Sequence, residues 1–110
     1  MVKKIDQKQQ GQESEKLKIP VEKELEMLGV VMKLHGTNQI KVLCKDGVER
    51  GCRIPGKLKK RVWIRENDLV IVKLWDFQPI KADVIWRFKT DYAKSFFRRK
   101  GMLGELEKYI

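Results

Sequence analysis

Seven cations fall between Arg50 and Arg65, namely Arg50, Arg53, Lys57, Lys59, Lys60, Arg61 and Arg65, with no Asp or Glu among them. Like charges this dense repel one another unless a counter-charge arrives. A phosphate backbone supplies one, and release of its condensed counterions adds to affinity. Long basic side chains can also lie along apolar surface with only their heads in water, so the run alone admits both readings. Trp63 stands inside it, between Val62 and Ile64. By type it could anchor a core, or it could be a platform for an unpaired base, a contact worth roughly 1–3 kcal/mol. Trp75 and Phe77 pose the same question at the next loop. Trp86, near Asp83, Ile85 and Arg87, reads as core.

Chemistry of other kinds finds no footing. The single histidine, His35, sits in the turn-like stretch His35-Gly36-Thr37-Asn38 and lacks partners for a metal site. Two cysteines, Cys44 and Cys52, are too few for a disulfide framework or a four-ligand metal site. No nucleophile elbow, phosphate-binding Walker loop or zinc-protease helix motif occurs. The expectation is a non-enzymatic protein without cofactor or metal. No apolar run approaches the roughly 18 residues of a membrane span, and the first twelve residues lack the apolar stretch of a secretory signal. Cytoplasm is the simplest location.

The charge balance points the same way as the basic run. In 110 residues, 25 Lys and Arg outweigh 15 Asp and Glu, a formal +10. Residues 1–24 contribute +1, residues 25–90 contribute +7 and residues 91–110 contribute +2. Most of the surplus belongs to the part able to fold, where it can form a surface of fixed shape and attract a polyanion.

The elements that must position these residues read as strands. Residues 1–24 form a flexible tail, most plainly over the polar residues 1–16. Leu25 to Leu34 suits a long strand with a bulge at Gly29. Ile40 to Ile54 reads as a hairpin about Asp46-Gly47. A three-residue loop, Asp46-Gly47-Val48, pairs Lys45 with Glu49, Val42 with Cys52 and Ile40 with Ile54. One face is then apolar, with Arg50 near its end, while the other presents Lys41, Leu43, Lys45, Glu49 and Arg53. A one-residue slip would mix core with charge, so burial selects this face assignment. It also leaves the cysteines diagonal, roughly 7–8 Å apart, as reduced core residues rather than a disulfide.

Pro55-Gly56 ends the hairpin and opens a basic connector. Asp68–Trp75 and Ala82–Phe88 follow as apolar strands linked through residues 75–81. Thr90 could cap a helix over residues 90–101, with Tyr92, Ala93, Phe96 and Phe97 on one face and Gly101 at its end. Residues 102–110 follow as a tail, whose Met102, Leu103, Leu106 and Ile110 either pack on the barrel or dock a partner. Five strands with a connector after the third fit an all-β, OB-type barrel, whose outer face commonly binds oligonucleotides. A small SH3-like barrel reads similarly from strand pattern alone.

Specific stretches narrow the choice. Residues 29–34 (Gly-Val-Val-Met-Lys-Leu), 42–47 (Val-Leu-Cys-Lys-Asp-Gly), 52–65 (Cys-Arg-Ile-Pro-Gly-Lys-Leu-Lys-Lys-Arg-Val-Trp-Ile-Arg) and 81–87 (Lys-Ala-Asp-Val-Ile-Trp-Arg) resemble the archaeal translation initiation factor 1A family over about residues 25–100. The resemblance implies an S1-like OB-fold over residues 25–89. It implies occupancy of the aminoacyl site of the small ribosomal subunit, contact with decoding-region rRNA, and help to initiator tRNA and mRNA binding. It implies that Trp63 stacks on an extruded base, and it suggests the initiation GTPase, factor 5B, as partner of the C-terminus. The expected RNA-binding set is Lys41, Lys45, Arg53, Lys57, Lys59, Lys60, Arg61, Trp63 and Arg65, on a monomer with no membrane partner. Eukaryotic relatives carry a strongly basic N-terminal tail and a long acidic C-terminal extension. Residues 1–24 here are nearly balanced and the chain ends soon after its helix, so roles attached to those tails do not transfer. Two other readings use the same charge: a general single-strand RNA binder of cold-shock type, and a barrel whose basic face meets an acidic protein.

Overall fold

A computed structural model describes residues 17–36, 39–56, 64–88 and 91–109. Five strands, β1 (Glu26–His35), β2 (Gln39–Cys44), β3 (Glu49–Arg53), β4 (Leu69–Trp75) and β5 (Gln78–Arg87), close into a barrel in the order β1-β2-β3-β5-β4. All pairings are antiparallel except β3 with β5. That closed order is the OB topology expected from the sequence. One helix, α1 (Asp91–Arg99), and a 3-10 segment, Gly104–Tyr109, follow the barrel.

Alternation along the strands sorts the apolar residues into two cores. Val31, Val42, Cys44, Cys52, Val70, Val72 and Val84 belong to one, inside the barrel. Leu28, Val30, Leu43, Leu69 and Ile71 point the other way, and they pack with Phe88, Ala93, Phe97, Leu103 and Leu106. The middle of β1 and most of β4 are thus buried on both faces, which is why they read as nearly unbroken apolar runs rather than an alternation. Leu43 looks misplaced among charged neighbours until this second core is seen.

The hairpin keeps the expected faces but pairs two residues away from the expected register. Ile40 opposes Cys52 and Val42 opposes Arg50, with Lys45-Asp46-Gly47 as the loop. The Cys44 amide donates to the Val48 carbonyl at 3.0 Å and the Gly47 amide to the Cys44 carbonyl at 2.8 Å. Gly47 has φ +86°. In a three-residue loop the third position is left-handed, a conformation open to glycine and costly for a β-branched residue. The 46–48 loop would have put Val48 there. A shift of two preserves every side-chain direction, so the buried set is unchanged. Cys52 faces Ile40, with Cys44 four residues further along β2, and both thiols are free and buried.

Other boundaries also move. The β1 irregularity lies between Val31 and Lys33, not at Gly29. Gly29 is regular, and a Cβ there would collide with Val42 Cγ1, so its role is close approach. β5 begins at Gln78 instead of Ala82, so β4 and β5 join through Asp76-Phe77 alone. Pro79 hides this start, because a proline argues against strand except near an end.

The helix closes as expected at Gly101, φ +68°. Its amide donates to the Arg98 carbonyl at 3.1 Å and that of Met102 to Phe97 at 2.9 Å, the paired bonds of a Schellman motif. The capping role read for Thr90 lies outside the described residues. Both reputed tails contribute to the fold within the described range. Leu17 packs on the outer core, and Leu103 and Leu106 are fully buried in it. Residues 103 and 106 therefore take the packing alternative rather than the docking one.

Candidate nucleic-acid interface

Two residues of the expected RNA-binding set meet on the outer face of β2 and β3. Lys41 opposes Gly51, and Gly51 in turn opposes Lys81 on β5, so two lysines flank a residue with no side chain. A Cβ at Gly51 would come within 4 Å only of Lys81, 3.6 Å from its Nζ. Among the described residues neither Lys41 nor Lys81 has an ion-pair partner. The row therefore leaves two cations open to solvent at roughly 10 Å, two strand spacings apart. A hollow of about 340 Å³ runs along it, lined by Lys41, Gly51, Arg53, Trp75 and Lys81 among others.

The next row holds Arg53 opposite Asp83. Arg53 donates to both carboxylate oxygens of Asp83, Nε to Oδ1 and Nη2 to Oδ2, each at 3.1 Å. Its guanidinium lies 5.4 Å from the Trp75 ring centre. Trp75 Nε1 donates to the same Asp83 Oδ1 at 3.2 Å. Asp83 thus fixes a cation and an indole together and offsets the charge of that cation. A surface pair of this kind holds geometry more than it adds stability.

The remaining expected residues separate. Lys45 sits in the β2–β3 loop at the far end of β2. Its amide donates to the Leu28 carbonyl at 2.9 Å and its carbonyl accepts from Glu105 at 3.1 Å. It belongs to the seam with the C-terminal segment. Arg65 opens the turn into β4, its amide donating to Asp68 Oδ2 at 2.8 Å. Lys57, Lys59, Lys60, Arg61 and Trp63 lie outside the described residues. The connector that carries them is bounded by Ile54, which is buried, and Ile64, which packs against the inner core.

Arg50, the first member of the basic run, is only 6% exposed. Nη1 and Nη2 donate to the two oxygens of Asp46 at 3.0 Å, and Nε donates to the Pro79 carbonyl at 2.6 Å. It ties the β2–β3 loop to the start of β5, as its inward register suggests. Burial alone would raise the Asp46 pKa, but bonds from Arg50 and the Val48 amide outweigh it and hold the carboxyl below its ordinary value. Burial pushes both thiols up, Cys52 to about 12, so neither is a nucleophile at neutral pH.

Lys81 escapes the sequence reading, because only the parallel β3–β5 pairing brings it beside Lys41. Nothing in a linear pattern announces that neighbour. Among the described residues no group of three His, Cys, Asp or Glu side chains could hold a metal, and no helix is long and apolar enough to cross a membrane.

Comparison with known proteins follows the same line. Residues 14–108 match the sequence model of the family described as translation initiation factor 1A / IF-1. The chain is 50% identical over 88 residues to translation initiation factor 1A of Thermoplasma acidophilum, covering 80% of this chain and 73% of the relative. It is 52% identical over 88 residues to the factor of the same name from Methanopyrus kandleri, covering 80% and 78%. Among solved structures it is similar to YjeQ from Thermotoga maritima, with TM-score 0.50 and 19% identity over 59% of this chain and 23% of that one. That last likeness concerns the fold alone.

Proposed function

This chain belongs to the translation initiation factor 1A / IF-1 family, and from that premise we propose how it serves initiation: it binds rRNA at the aminoacyl (decoding) site of the small ribosomal subunit and there promotes initiator tRNA and mRNA binding. Family membership carries the role in translation initiation. The observation that carries the RNA contact is the open pair Lys41 and Lys81 across Gly51, with the Arg53–Trp75 stack beside it. Cations that have no carboxylate partner among the described residues are ready for phosphates on a sheet face, since none of those residues has to be displaced before they bind. The connector adds Lys57, Lys59, Lys60 and Arg61, and Arg65 follows it. Trp63 supplies the stacking contact on an extruded base. The role is binding without catalysis, on a cytoplasmic monomer.

A partner at the C-terminus, factor 5B, fits a narrower surface than the sequence suggests. Leu103 and Leu106 are committed to the core, which leaves, among the described residues, the half-exposed Tyr109 and the partly buried Met102; Ile110 lies outside the described residues. Tyr109→Ala therefore tests GTPase docking without disturbing the fold: weaker association is expected, and unchanged association would remove Tyr109 from that contact.

Sedimentation with isolated small and large subunits tests the main reading. Binding to the small subunit alone is expected, weakening by on the order of a thousandfold between roughly 50 and 200 mM salt if about six cations meet phosphates. Trp63→Ala should lower that affinity by roughly 1–3 kcal/mol while leaving the melting free energy within about 1 kcal/mol. Equal affinity for unstructured RNA would favour the general single-strand binder, and RNA-independent capture of an acidic protein would favour the interaction barrel.

A further inference from the structure

The β4–β5 turn carries Phe77 with 83% of its surface exposed, the most exposed large apolar residue among those described. Its ring centre lies 5.7 Å from that of Trp75 at a tilt of 32°, and Trp75 in turn carries the Arg53 guanidinium at 5.4 Å. Guanidinium, indole and phenyl make a ladder of three flat groups. The inner two are fixed by Asp83, which accepts from both Arg53 and the Trp75 indole. The turn is only two residues long, since Trp75 already pairs with Gln78. Phe77 is thus presented by a short, anchored turn at the open end of a preassembled stack.

Two hollows meet at this ladder. The first, of about 340 Å³, runs from Lys41 past Gly51 to Lys81, and the second, of about 430 Å³, runs from Lys73 to Phe77. Both are lined by Arg53 and Trp75, so they form one track along the barrel surface. Lys41 and Lys81 bring open positive charge to one end, while Phe77 brings an open ring face to the other. A flat ring face at one end of the track and, at the other, cations without ion-pair partners among the described residues suit a strand of unpaired nucleotides, whose phosphates take the cations and whose bases take the ring. A purely apolar protein contact would make no use of the lysines.

We propose that Phe77 is a second base-stacking site, distinct from Trp63, and that the track from Lys41 and Lys81 to Phe77 holds a short stretch of single-stranded RNA. The proposal deepens the RNA-binding reading and rests on it for the class of ligand. The site requires no rearrangement, because Asp83 already orients Arg53 and Trp75. Specificity for base identity is low, since every base offers a flat face. Affinity divides into a salt-sensitive part at the lysines and a salt-insensitive part at the ring.

The test uses the full chain and a single-stranded RNA hexamer of mixed sequence, followed by fluorescence anisotropy and by amide and indole NMR shifts. The parent should bind, with resonances of Trp75, Phe77 and Lys81 among those that move. Phe77→Ala should weaken the hexamer by about 5- to 150-fold with an unchanged salt slope. Phe77→Trp should retain affinity, while Phe77→Leu should behave like the alanine variant. Lys81→Ala should instead reduce the salt slope by roughly one. Because the ring is outside the core, the Phe77 variants should melt like the parent. Failure of the parent to bind the hexamer, parent-like binding by Phe77→Ala, or full affinity in Phe77→Leu would each overturn the proposal. A photo-crosslinker at position 77 that attaches to ribosomal protein rather than rRNA would overturn it as well. A parent that ignores small subunits but binds the hexamer through Phe77 sinks the earlier reading and leaves this one standing.

Discussion

At the hairpin end of the barrel the cations are enclosed, whereas on the outer face of β2, β3 and β5 they reach solvent. Arg50 and Arg53 stand three residues apart on one strand and represent the two regions. Arg50 turns inward, gives Nη1 and Nη2 to Asp46 and Nε to Pro79, and clips the β2–β3 loop to β5. The same loop is held from outside, where the Glu105 amide reaches the Lys45 carbonyl and Gly104 sits so close to Lys45 that a Cβ would come 2.9 Å from that carbonyl oxygen. Arg53 turns outward, spreads over Trp75 and shares Asp83 with it, its side chain more than half exposed. Beside it Lys41 and Lys81 have no partners among the described residues. Positive charge serves assembly in the first region and remains available to a ligand in the second. Net charge cannot distinguish the two, since both arginines count once in the total.

The comparison can be broken most forcefully at the enclosed end. Deleting residues 102–110 removes Leu103 and Leu106, both fully buried, and should cost at least about 4 kcal/mol. On a domain whose stability is roughly 5–15 kcal/mol that loss should lower the thermal midpoint steeply. A truncated chain that melts with the parent would show that the seam is not structural.

Arg50→Met should cost about 2–3 kcal/mol at neutral pH, because the loop loses its clip and Pro79 its donor. Small-subunit affinity should stay unchanged. The pH dependence has a definite sign. Asp46 is held below its ordinary value, so its pair stabilises the fold at higher pH and loses its effect as pH falls through that lowered value. Melting curves of parent and variant should therefore converge in acid. Curves that stay parallel would remove Asp46 from the account.

Gly51→Glu sharpens the open region. The site has room, with only Lys81 nearby, so the stability change should stay within about 1 kcal/mol. A carboxylate between Lys41 and Lys81 should nonetheless weaken small-subunit binding about tenfold, or about 1.4 kcal/mol. Gly51→Ala should bind within threefold of the parent. Equal loss in both variants would point to shape rather than charge.

The smallest effect belongs to Arg53→Gln. An exposed pair is worth less than about 1 kcal/mol, so the melt should barely move. The visible change should be in binding, with a salt slope reduced by about one. A large fall in stability would mean that Arg53 works as Arg50 does, and the contrast between the regions would collapse.

Which hairpin residues face inward was legible from the order of residue types alone. Period-two alternation fixed the faces of β2 and β3, including the inward turn of Arg50, because shifting the register by two leaves every side chain on its side. Gly101 marked the helix end through its left-handed backbone, and the stretch from Cys52 to Arg65 carried the family. Local chemistry suffices for those features. The hairpin loop at 45–47 was itself within reach of local chemistry, since Gly47 suits the left-handed third position that a 46–48 loop would have given to Val48. The remaining features waited on the folded chain, because they depend on partners distant in sequence. β5 started at Gln78 because Pro79 could be carried near a strand end, its carbonyl taken by Arg50. Leu43, Leu103 and Leu106 became core only when α1 and the C-terminal segment covered the outer face of β1 and β4. Lys81 came to flank Gly51 opposite Lys41 only through the parallel β3–β5 pairing, a juxtaposition of residues forty apart that no local pattern encodes.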